Sequence, residues 1–431
     1  MSLPTPAERA AIVNSLRVGV TPSLGLQHIQ VGRRREIAAV LADLTTVKQD
    51  GSAVRFIIGD YGSGKTFFLQ LLKAAALAQK FVVVQADITL DRKLHGTGSG
   101  RALYRELIGN MATSTRPDGG ALAGVIERWI SETDRRARKA GGKPEDVPQA
   151  IEDGLSSLRE LPHGYDFALV LRRYYEGFRD GNAALQDAAL KWLRAEYEQK
   201  TVARRELNLP GLGTIDDSSY FDALKLFARF VALAGFSGLV VNIDELGVLT
   251  TNIQTAKARN SNFEVLLTIV NECSQGRAPR LMCLFACIAD FVENRDKGLY
   301  SHDALKSRLA PPRSGNNTVV NYASPVIRLD PLTPEDRYLL LENVRRVHEA
   351  DTKRSNRLTD EGLKAFFAMS EKRLGSREFD TVRDAVRALV DLIDKLEQHP
   401  EQTWQTLLAD EMKSAAIKSS AKSGLAGLKL G

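Results

Sequence analysis

Short hydrophobic runs alternate with longer segments of helical periodicity along most of the chain. The runs predict five β-strands, at residues 54–58, 81–87, 238–243, 281–288 and 326–329. Between the first two runs, a glycine-rich loop and a helix at 65–79 complete a strand–loop–helix–strand unit. Because this order is typical of parallel sheets, we predict an α/β fold with a parallel sheet and helices on both of its faces.

The segment from about 101 to 230 differs from the rest of the chain. Hydrophobic residues recur there at helical spacing, and no strand is indicated. We interpret it as a large helical insertion in an α/β core that spans 28–330, after an N-terminal helix and connector at 1–27. Beyond this core the pattern is helical again, which predicts a C-terminal helical lid at 331–413 and a disordered basic tail at 414–431.

The composition is that of a globular protein with a hydrophobic core, since 43% of the residues are hydrophobic and 26% are charged. No apolar run approaches the ~20 residues that a membrane-spanning helix needs, and the N-terminus lacks the apolar segment of a secretion signal. Cys273, Cys283 and Cys287 give neither a disulfide framework nor a zinc spacing, and we interpret them as core residues. We therefore expect a cytoplasmic protein that does not bind membranes.

Residues 59–66 carry the pattern G-x-x-x-x-G-K-[ST] between a predicted strand and a predicted helix, a context that argues against a chance glycine-rich turn. Its glycines let the main chain wrap around a phosphate, and the start of the following helix adds partial positive charge. We predict that Lys65 reaches the β- and γ-phosphates and that the Thr66 hydroxyl binds Mg²⁺. The predicted nucleotide-binding residues of this phosphate loop are Gly59, Asp60, Tyr61, Gly62, Ser63, Gly64, Lys65 and Thr66.

The hydrophobic run at 238–243 ends in two acids, Asp244 and Glu245. A parallel strand carries its functional residues at its carboxyl end, so this pair complements the glycine loop. We predict that Asp244 holds Mg²⁺ through water and that Glu245 polarises the water that attacks the γ-phosphate. The adjacent acids favour nucleotide hydrolysis over simple nucleotide storage.

Together these motifs resemble the AAA+ superfamily, on the side that includes the origin-recognition initiators and the STAND ATPases. More narrowly, GDYGSGKTFFLQLL, FVVVQADIT, LHG...ALYREL and FSGLVVNIDELGVL resemble the ATP-binding protein family of bacterial BREX phage-defence systems, over roughly residues 5 to 400. The resemblance implies a P-loop (AAA+-like) fold, ATP with Mg²⁺ as cofactors, and an accessory ATPase of a multi-gene defence island. It also implies a homo-oligomer, because such sites are completed by an arginine from a neighbouring subunit.

Two weaker members of the site are suggested by the same resemblance. Val31, Gly32 and Arg33 resemble a segment that these ATPases place over the adenine, although an ordinary helix start explains the segment equally well. The strand after the Asp-Glu pair ends near Cys287 and Asp290, where the family has a sensor residue of the Asn, Ser or Thr type. This departure leaves the sensor unassigned, because a role in orienting water and a role as a helix cap explain Asp290 equally well.

Arginine candidates for contact with the γ-phosphate lie in two segments. Arg295, Arg308 and Arg313 follow the fourth predicted strand, and we prefer Arg313 as the residue that a neighbouring subunit supplies. Arg377 follows Ser376 at the predicted start of the helix at 377–397, where the family has its second sensor. The alternative for Arg295, Arg308 and Arg313 is a solvated surface arginine. For Arg377 the alternative is a plain helix start, with Ser376 as the N-cap and Arg377 in the first turn.

The net charge of +6 permits nucleic-acid binding without requiring it. Basic stretches at 92–101, 134–143 and in the tail suit either sequence-nonspecific DNA phosphates or solvent, and they contain few aromatic residues for base stacking. We expect an ATPase that couples its nucleotide state to assembly on DNA or on partner proteins of the island. The alternatives are a nucleotide-gated scaffold with incidental hydrolysis, and a DNA-translocating motor or loader.

Overall fold

The computed structural model describes residues 3–141, 143–311, 320–350, 357–373 and 381–409. The chain divides into two compact units. The sheet unit comprises Arg34–Ile58 and Leu72–Arg328, and the helical unit comprises Met1–Arg33, Gly59–Leu71 and Leu329–Gly431.

One parallel β-sheet forms the centre of the sheet unit. Its strands are β1 (Ala53–Ile58), β2 (Val82–Asp87), β3 (Leu239–Asp244), β4 (Leu281–Cys287) and β5 (Val326–Arg328). Their order across the sheet is β2-β3-β4-β1-β5, and every pairing is parallel. The predicted α/β fold with a parallel sheet is thus confirmed, and the observed strand ends agree with the predicted ones to within a residue. All of β3 and β4 is buried, as expected for parallel strands covered by helices.

The helices of the described residues are named in chain order. They are α1 (Pro6–Arg17), α2 (Arg34–Lys48), α3 (Lys65–Ala78), α4 (Ser99–Gly109), α5 (Leu122–Lys139), α6 (Val147–Arg159), α7 (Gly164–Arg179), α8 (Ala183–Leu193), α9 (Lys200–Leu207), α10 (Tyr220–Leu233), α11 (Val248–Thr251), α12 (Ala256–Ser274), α13 (Ala289–Glu293), α14 (Asp303–Leu309), α15 (Pro334–His348), α16 (Asp360–Arg373) and α17 (Val382–Gln398). Within the described ranges, none of them combines the length and apolarity needed to cross a membrane.

Helices α4 to α10 occupy the interval between β2 and β3, where the sequence predicts helices. Their core contains buried aromatic rings in edge-to-face contact. The ring centroids of Phe167 and Phe227 are 5.0 Å apart, and those of Trp129 and Phe230 are 5.4 Å apart. Because α4 packs against β2 and α10 against β3, this aromatic core is continuous with the core of the sheet.

A buried arginine secures the edge of the sheet at β5. Arg55 lies on β1, and its guanidinium binds both carboxylate oxygens of Asp43 on α2, at 2.6 and 2.8 Å. The same group donates to the main-chain carbonyls of Tyr322 and Ser324, just before β5. A buried charge is stable only when it is paired and hydrogen-bonded, and Arg55 satisfies both conditions while it joins α2 to the start of β5.

The helical unit has a hydrophobic core of its own, in which α1, α15, α16 and α17 pack together. Its members include Ile12, Leu341, Phe366, Leu389 and Ile393. Thr5 caps α1 in a capping box with Glu8, and Thr333 caps α15 ahead of Pro334. These caps are the helix-start signals that the sequence carries, because the threonine hydroxyl satisfies an N–H group that the helix leaves unpaired.

A network of charged groups connects α1, α15 and α17. Arg17 donates to both carboxylate oxygens of Asp394, at 2.6 and 2.7 Å, and Nε2 of the fully buried His348 lies 2.9 Å from the same carboxylate. Arg9 donates to the main-chain carbonyl of His348 at 2.7 Å. Burial opposes ionisation of Asp394, but the hydrogen bonds from Arg17 and His348 prevail and lower its pKa. The network therefore fastens the N-terminal helix to α15 and α17.

The start of α17 differs from the prediction. We expected this helix to begin at Arg377 with Ser376 as its cap, but Thr381 is the cap and the helix begins at Val382. The main-chain N–H and the hydroxyl of Thr381 both donate to Asp384, at 3.0 and 2.8 Å, which completes a capping box. Arg377 and Ser376 lie outside the described residues.

Candidate functional site

The glycine loop between β1 and α3 packs closely against neighbouring atoms of the helical unit. Gly62 and Gly64 have φ angles of +78° and +90°, in the left-handed region that favours glycine. A Cβ on Gly59 would lie 2.5 Å from the Ser63 hydroxyl, and one on Gly62 would lie 2.8 Å from Thr381. Two of the three glycines thus fill positions that have no room for a side chain, which explains their spacing in the sequence.

The lysine of this loop folds back over it. Lys65 Nζ donates to the main-chain carbonyls of Gly59 and Asp60, at 3.0 and 2.9 Å, and lies 5.7 Å from the centre of the Tyr61 ring. Tyr61 itself is 82% exposed. These two carbonyls and the ring face help to hold the ammonium group at the loop, where a phosphate oxygen can accept a charge-assisted hydrogen bond from it.

A buried hydroxyl in the loop has no hydrogen-bond partner within the described part of the chain. This atom is Oγ of Ser63. An unsatisfied buried polar atom costs roughly 1–3 kcal/mol. Donation to a phosphate oxygen would satisfy this hydroxyl. The structure of the loop therefore supports a phosphate ligand independently of the sequence pattern. Thr66 follows in the first turn of α3 and is exposed.

The end of β3, in the sheet unit, carries the two predicted acids. Asp244 is 8% exposed, and its Oδ1 accepts a hydrogen bond of 2.8 Å from the main-chain N–H of Glu245. Glu245 has a φ of +59°, although a left-handed conformation costs a non-glycine residue ~1–2 kcal/mol. Strain of this kind persists where the surroundings impose it, and it concentrates at functional sites.

An acid that the sequence analysis missed lies beside Asp244. Asp87 ends β2 and is paired in register with Asp244, and the next residue, Ile88, donates to the Asp244 carbonyl at 3.0 Å. Burial and the charge of Asp244 raise the pKa of Asp87, against the opposing effect of Arg92. The signal in the sequence was a second hydrophobic run that ends in an aspartate, but only the strand order shows that the two run ends are neighbours.

The segment 31–33 forms a turn in the helical unit that is bonded to the phosphate loop. Gly32 and Arg33 have consecutive left-handed φ angles of +60° and +59°, and Val31 is buried. Nη2 of Arg33 donates to the main-chain carbonyl of Ser63 at 3.3 Å and also to that of Asp330. The sequence analysis assigned this segment to the adenine or to a plain helix start and did not foresee the bond to the loop.

Of the remaining sensor and arginine candidates, some lie outside the described residues and others have contacts within the sheet unit. Arg313 and Arg377 lie outside the described residues. Cys287 is buried at the end of β4, and Asp290 accepts a 2.9 Å hydrogen bond from Asn294 one helical turn later. Arg308 donates to Asn271 and to the carbonyl of Ala304 on its own helix, which is the behaviour of a surface arginine that anchors a helix end.

The basic segment at 92–101 is held by hydrogen bonds to other parts of the sheet unit. Asp217 accepts from the main-chain N–H groups of Gly98 and Arg101, at 2.6 and 2.9 Å. Arg92 forms an ion pair with Glu106 at 2.9 Å, and Arg101 forms one with Glu198 at 3.5 Å. Two of its basic side chains are thus balanced by carboxylates, which weakens the case for this segment as a DNA contact.

Comparison with known families identifies the chain over nearly its whole length. The family model described as BREX system ATP-binding protein BrxC/D matches residues 5–412. Among curated proteins, no match to the chain was found.

Proposed function

The chain belongs to the BREX system ATP-binding protein BrxC/D family, and from this premise we propose that it binds Mg-ATP through residues 59–66 and hydrolyses it. The phosphate loop carries the proposal, because Gly59 and Gly62 lie where side chains do not fit and its buried Ser63 hydroxyl lacks a partner among the described residues. The parallel strand β1 leads into this loop, and the parallel strand β3 leads into Asp244 and Glu245. Functional residues follow the carboxyl ends of strands in other nucleotide-binding sheets as well.

Each proposed residue has a separate task. Lys65 exchanges its two carbonyl acceptors for oxygens of the β- and γ-phosphates, and the N–H groups at the start of α3 face the same negative charge. Thr66 and Asp244 would hold the magnesium ion, which would supply positive charge to the phosphates. Glu245 accepts a hydrogen bond from the attacking water and orients it. Catalysis then consists of positioning and electrostatic stabilisation.

Further copies of the chain and other molecules complete the proposed cycle. We assign Arg313 of a neighbouring copy and Arg377 to the γ-phosphate, which makes turnover depend on oligomerisation. Other proteins of the defence system, or the phosphates of DNA bound without sequence preference, are the proposed platforms for assembly.

The first test is ATP affinity after Lys65→Ala. Loss of a charge-assisted contact to phosphate should weaken binding about 100-fold, which calorimetry with Mg-ATP measures. Lys48→Ala removes an exposed lysine at the end of α2 and should leave the affinity unchanged. Equal affinities of the Lys65→Ala variant and the unaltered protein would contradict the assigned site.

The second test is ATP turnover over a range of protein concentrations, with and without double-stranded DNA. A specific activity that rises with protein concentration supports a shared site, and a further rise with DNA supports assembly on DNA. Constant specific activity over the whole range would contradict the contribution of Arg313 from a neighbouring copy.

One contact favours a second candidate, a nucleotide-gated switch in which hydrolysis is incidental. Gly62 of the phosphate loop lies against Thr381, the residue that caps α17, so a loop that moves on nucleotide binding pushes directly on a long helix of its own unit. For this candidate, a Glu245→Gln protein locked with ATP should still recruit its partner. For the ATPase, partner binding should require repeated turnover.

A further inference from the structure

We infer that Arg33 is a positioning residue that holds the phosphate loop in its binding conformation. The inference rests on the proposed function, because it assigns a role within the same site. Its basis is the pair of hydrogen bonds from Nη2 of Arg33 to the main-chain carbonyls of Ser63 and Asp330. One guanidinium nitrogen thus joins the loop to the chain segment at 330.

The bond to Ser63 determines where the next N–H group points. The peptide between Ser63 and Gly64 is trans, and in a trans peptide the carbonyl and the following N–H point in opposite directions. When Arg33 holds the Ser63 carbonyl, the N–H of Gly64 is directed away from Arg33. An N–H at this place in the loop is one of the groups that would donate to phosphate.

The segment at 330 is itself in contact with the loop. A Cβ on Gly59 would lie 2.9 Å from the carbonyl oxygen of Leu329, the residue before Asp330. Arg33 therefore connects two main-chain segments that border the loop, at its first glycine and at Ser63. A rigid loop loses less conformational entropy when it binds a ligand, which is the advantage of such a connection.

The backbone of Arg33 supports a specific role. Arg33 and the preceding Gly32 adopt consecutive left-handed conformations, with φ of +59° and +60°, and such a conformation is costly for arginine. A Cβ on Gly32 would lie 3.0 Å from the carboxylate of Asp336, so the turn is also packed tightly on α15. The strained turn is what directs the guanidinium to the two carbonyls, whereas the next two arginines, Arg34 and Arg35, are exposed at the start of α2.

The test compares two ligands across three variants. Arg33→Met keeps much of the side-chain length and removes the donors, Arg33→Lys restores a cationic donor, and Arg34→Met is the matched control for lost charge. The ligands are ATP and inorganic tripolyphosphate, which has the phosphates and no adenine. We expect Arg33→Met to weaken both ligands about tenfold, Arg33→Lys to recover part of this loss, and Arg34→Met to bind both normally. Thermal unfolding of each variant separates a loss of affinity from a loss of fold.

Each of the other possible outcomes contradicts either the inference about Arg33 or the proposed function. If Arg33→Met weakens ATP but leaves tripolyphosphate binding unchanged, the side chain acts on the adenine side and the inference is wrong. Equal affinities of Arg33→Met and Arg34→Met for both ligands would refute it as well. If the unaltered protein binds neither ligand, the proposed function fails first and the inference fails with it.

Discussion

The phosphate loop and the carboxyl edge of the sheet encode their chemistry in different ways. In the loop, the main chain is the functional group, and glycine is needed because a side chain at 59 or 62 would collide with its surroundings. At the sheet edge the functional groups are carboxylates, and their properties depend on which strand end is the neighbour. A local motif therefore describes the loop almost completely, but at the acidic edge, formed by Asp87, Asp244 and Glu245, it identifies two of the three acids.

The largest effect is expected at the acidic edge, from Glu245→Gln. The amide keeps the size of the side chain but cannot act as a base towards water, so turnover should fall about 10²- to 10⁴-fold while ATP still binds. Measurement of phosphate release and of ATP affinity on the same preparation separates the two quantities. Glu198→Gln changes a glutamate that is 81% exposed and serves as the control.

Retained turnover in Glu245→Gln would remove the catalytic role from Glu245 and leave its left-handed conformation without a functional explanation. Loss of both ATP binding and turnover would instead mean that the 244–245 turn has a structural role. The substitution would then weaken the complex with ATP itself, before the chemical step.

The next largest effect should come from Gly62→Ala in the loop. The new Cβ would lie 2.8 Å from Thr381 at a φ of +78°, so either the loop or the start of α17 must move. We expect an affinity for ATP about 30-fold lower, equivalent to ~2 kcal/mol of distortion. Binding measured by calorimetry tests this value.

Gly276→Ala is the matched control for this change. Gly276 has a similar φ of +71°, but a Cβ at this position would have no atom within 4 Å. The substitution should cost ~1 kcal/mol of stability through backbone strain alone and leave ATP affinity unaltered. If the two variants bind ATP equally well, the contact with Thr381 does not shape the site.

The strands and the glycine loop could be predicted because each depends on local features of the sequence. A hydrophobic run between polar residues identifies β3, and the spacing of Gly59, Gly62 and Gly64 identifies the loop. The start of α17 was mispredicted because serine and threonine are both favoured N-caps, and the local sequence does not distinguish Ser376 from Thr381. The role of Asp87 depends on the adjacency of β2 and β3 in the sheet, and no local sequence pattern predicts which strands are adjacent.

We expect the smallest effect from Asp87→Asn, which tests whether Asp87 and Asp244 interact at the ends of the adjacent strands β2 and β3. Although the Asp87 side chain is partly exposed, its raised pKa means that the folded protein disfavours the ionised form, because of partial desolvation and the adjacent Asp244. The stabilisation from the protonated group is complete below the ordinary pKa of 3.8 and is lost as the pH rises through the higher folded value. An asparagine has no such loss, so the variant should melt ~1–3 °C higher than the unaltered protein at pH 7 without magnesium.

The pH dependence of this difference distinguishes repulsion from a general change in packing. The gain in melting temperature should shrink towards zero as the pH is lowered towards about 4, since both proteins then carry a neutral side chain at position 87. Asp91→Asn, at an exposed aspartate four residues later, should show no comparable trend. Magnesium should narrow the gap at pH 7, because a cation near Asp244 relieves the repulsion that the asparagine removes. A gain that stays constant with pH would show that the carboxylates of Asp87 and Asp244 do not interact, and the acidic edge would then consist of the residues of the local motif alone.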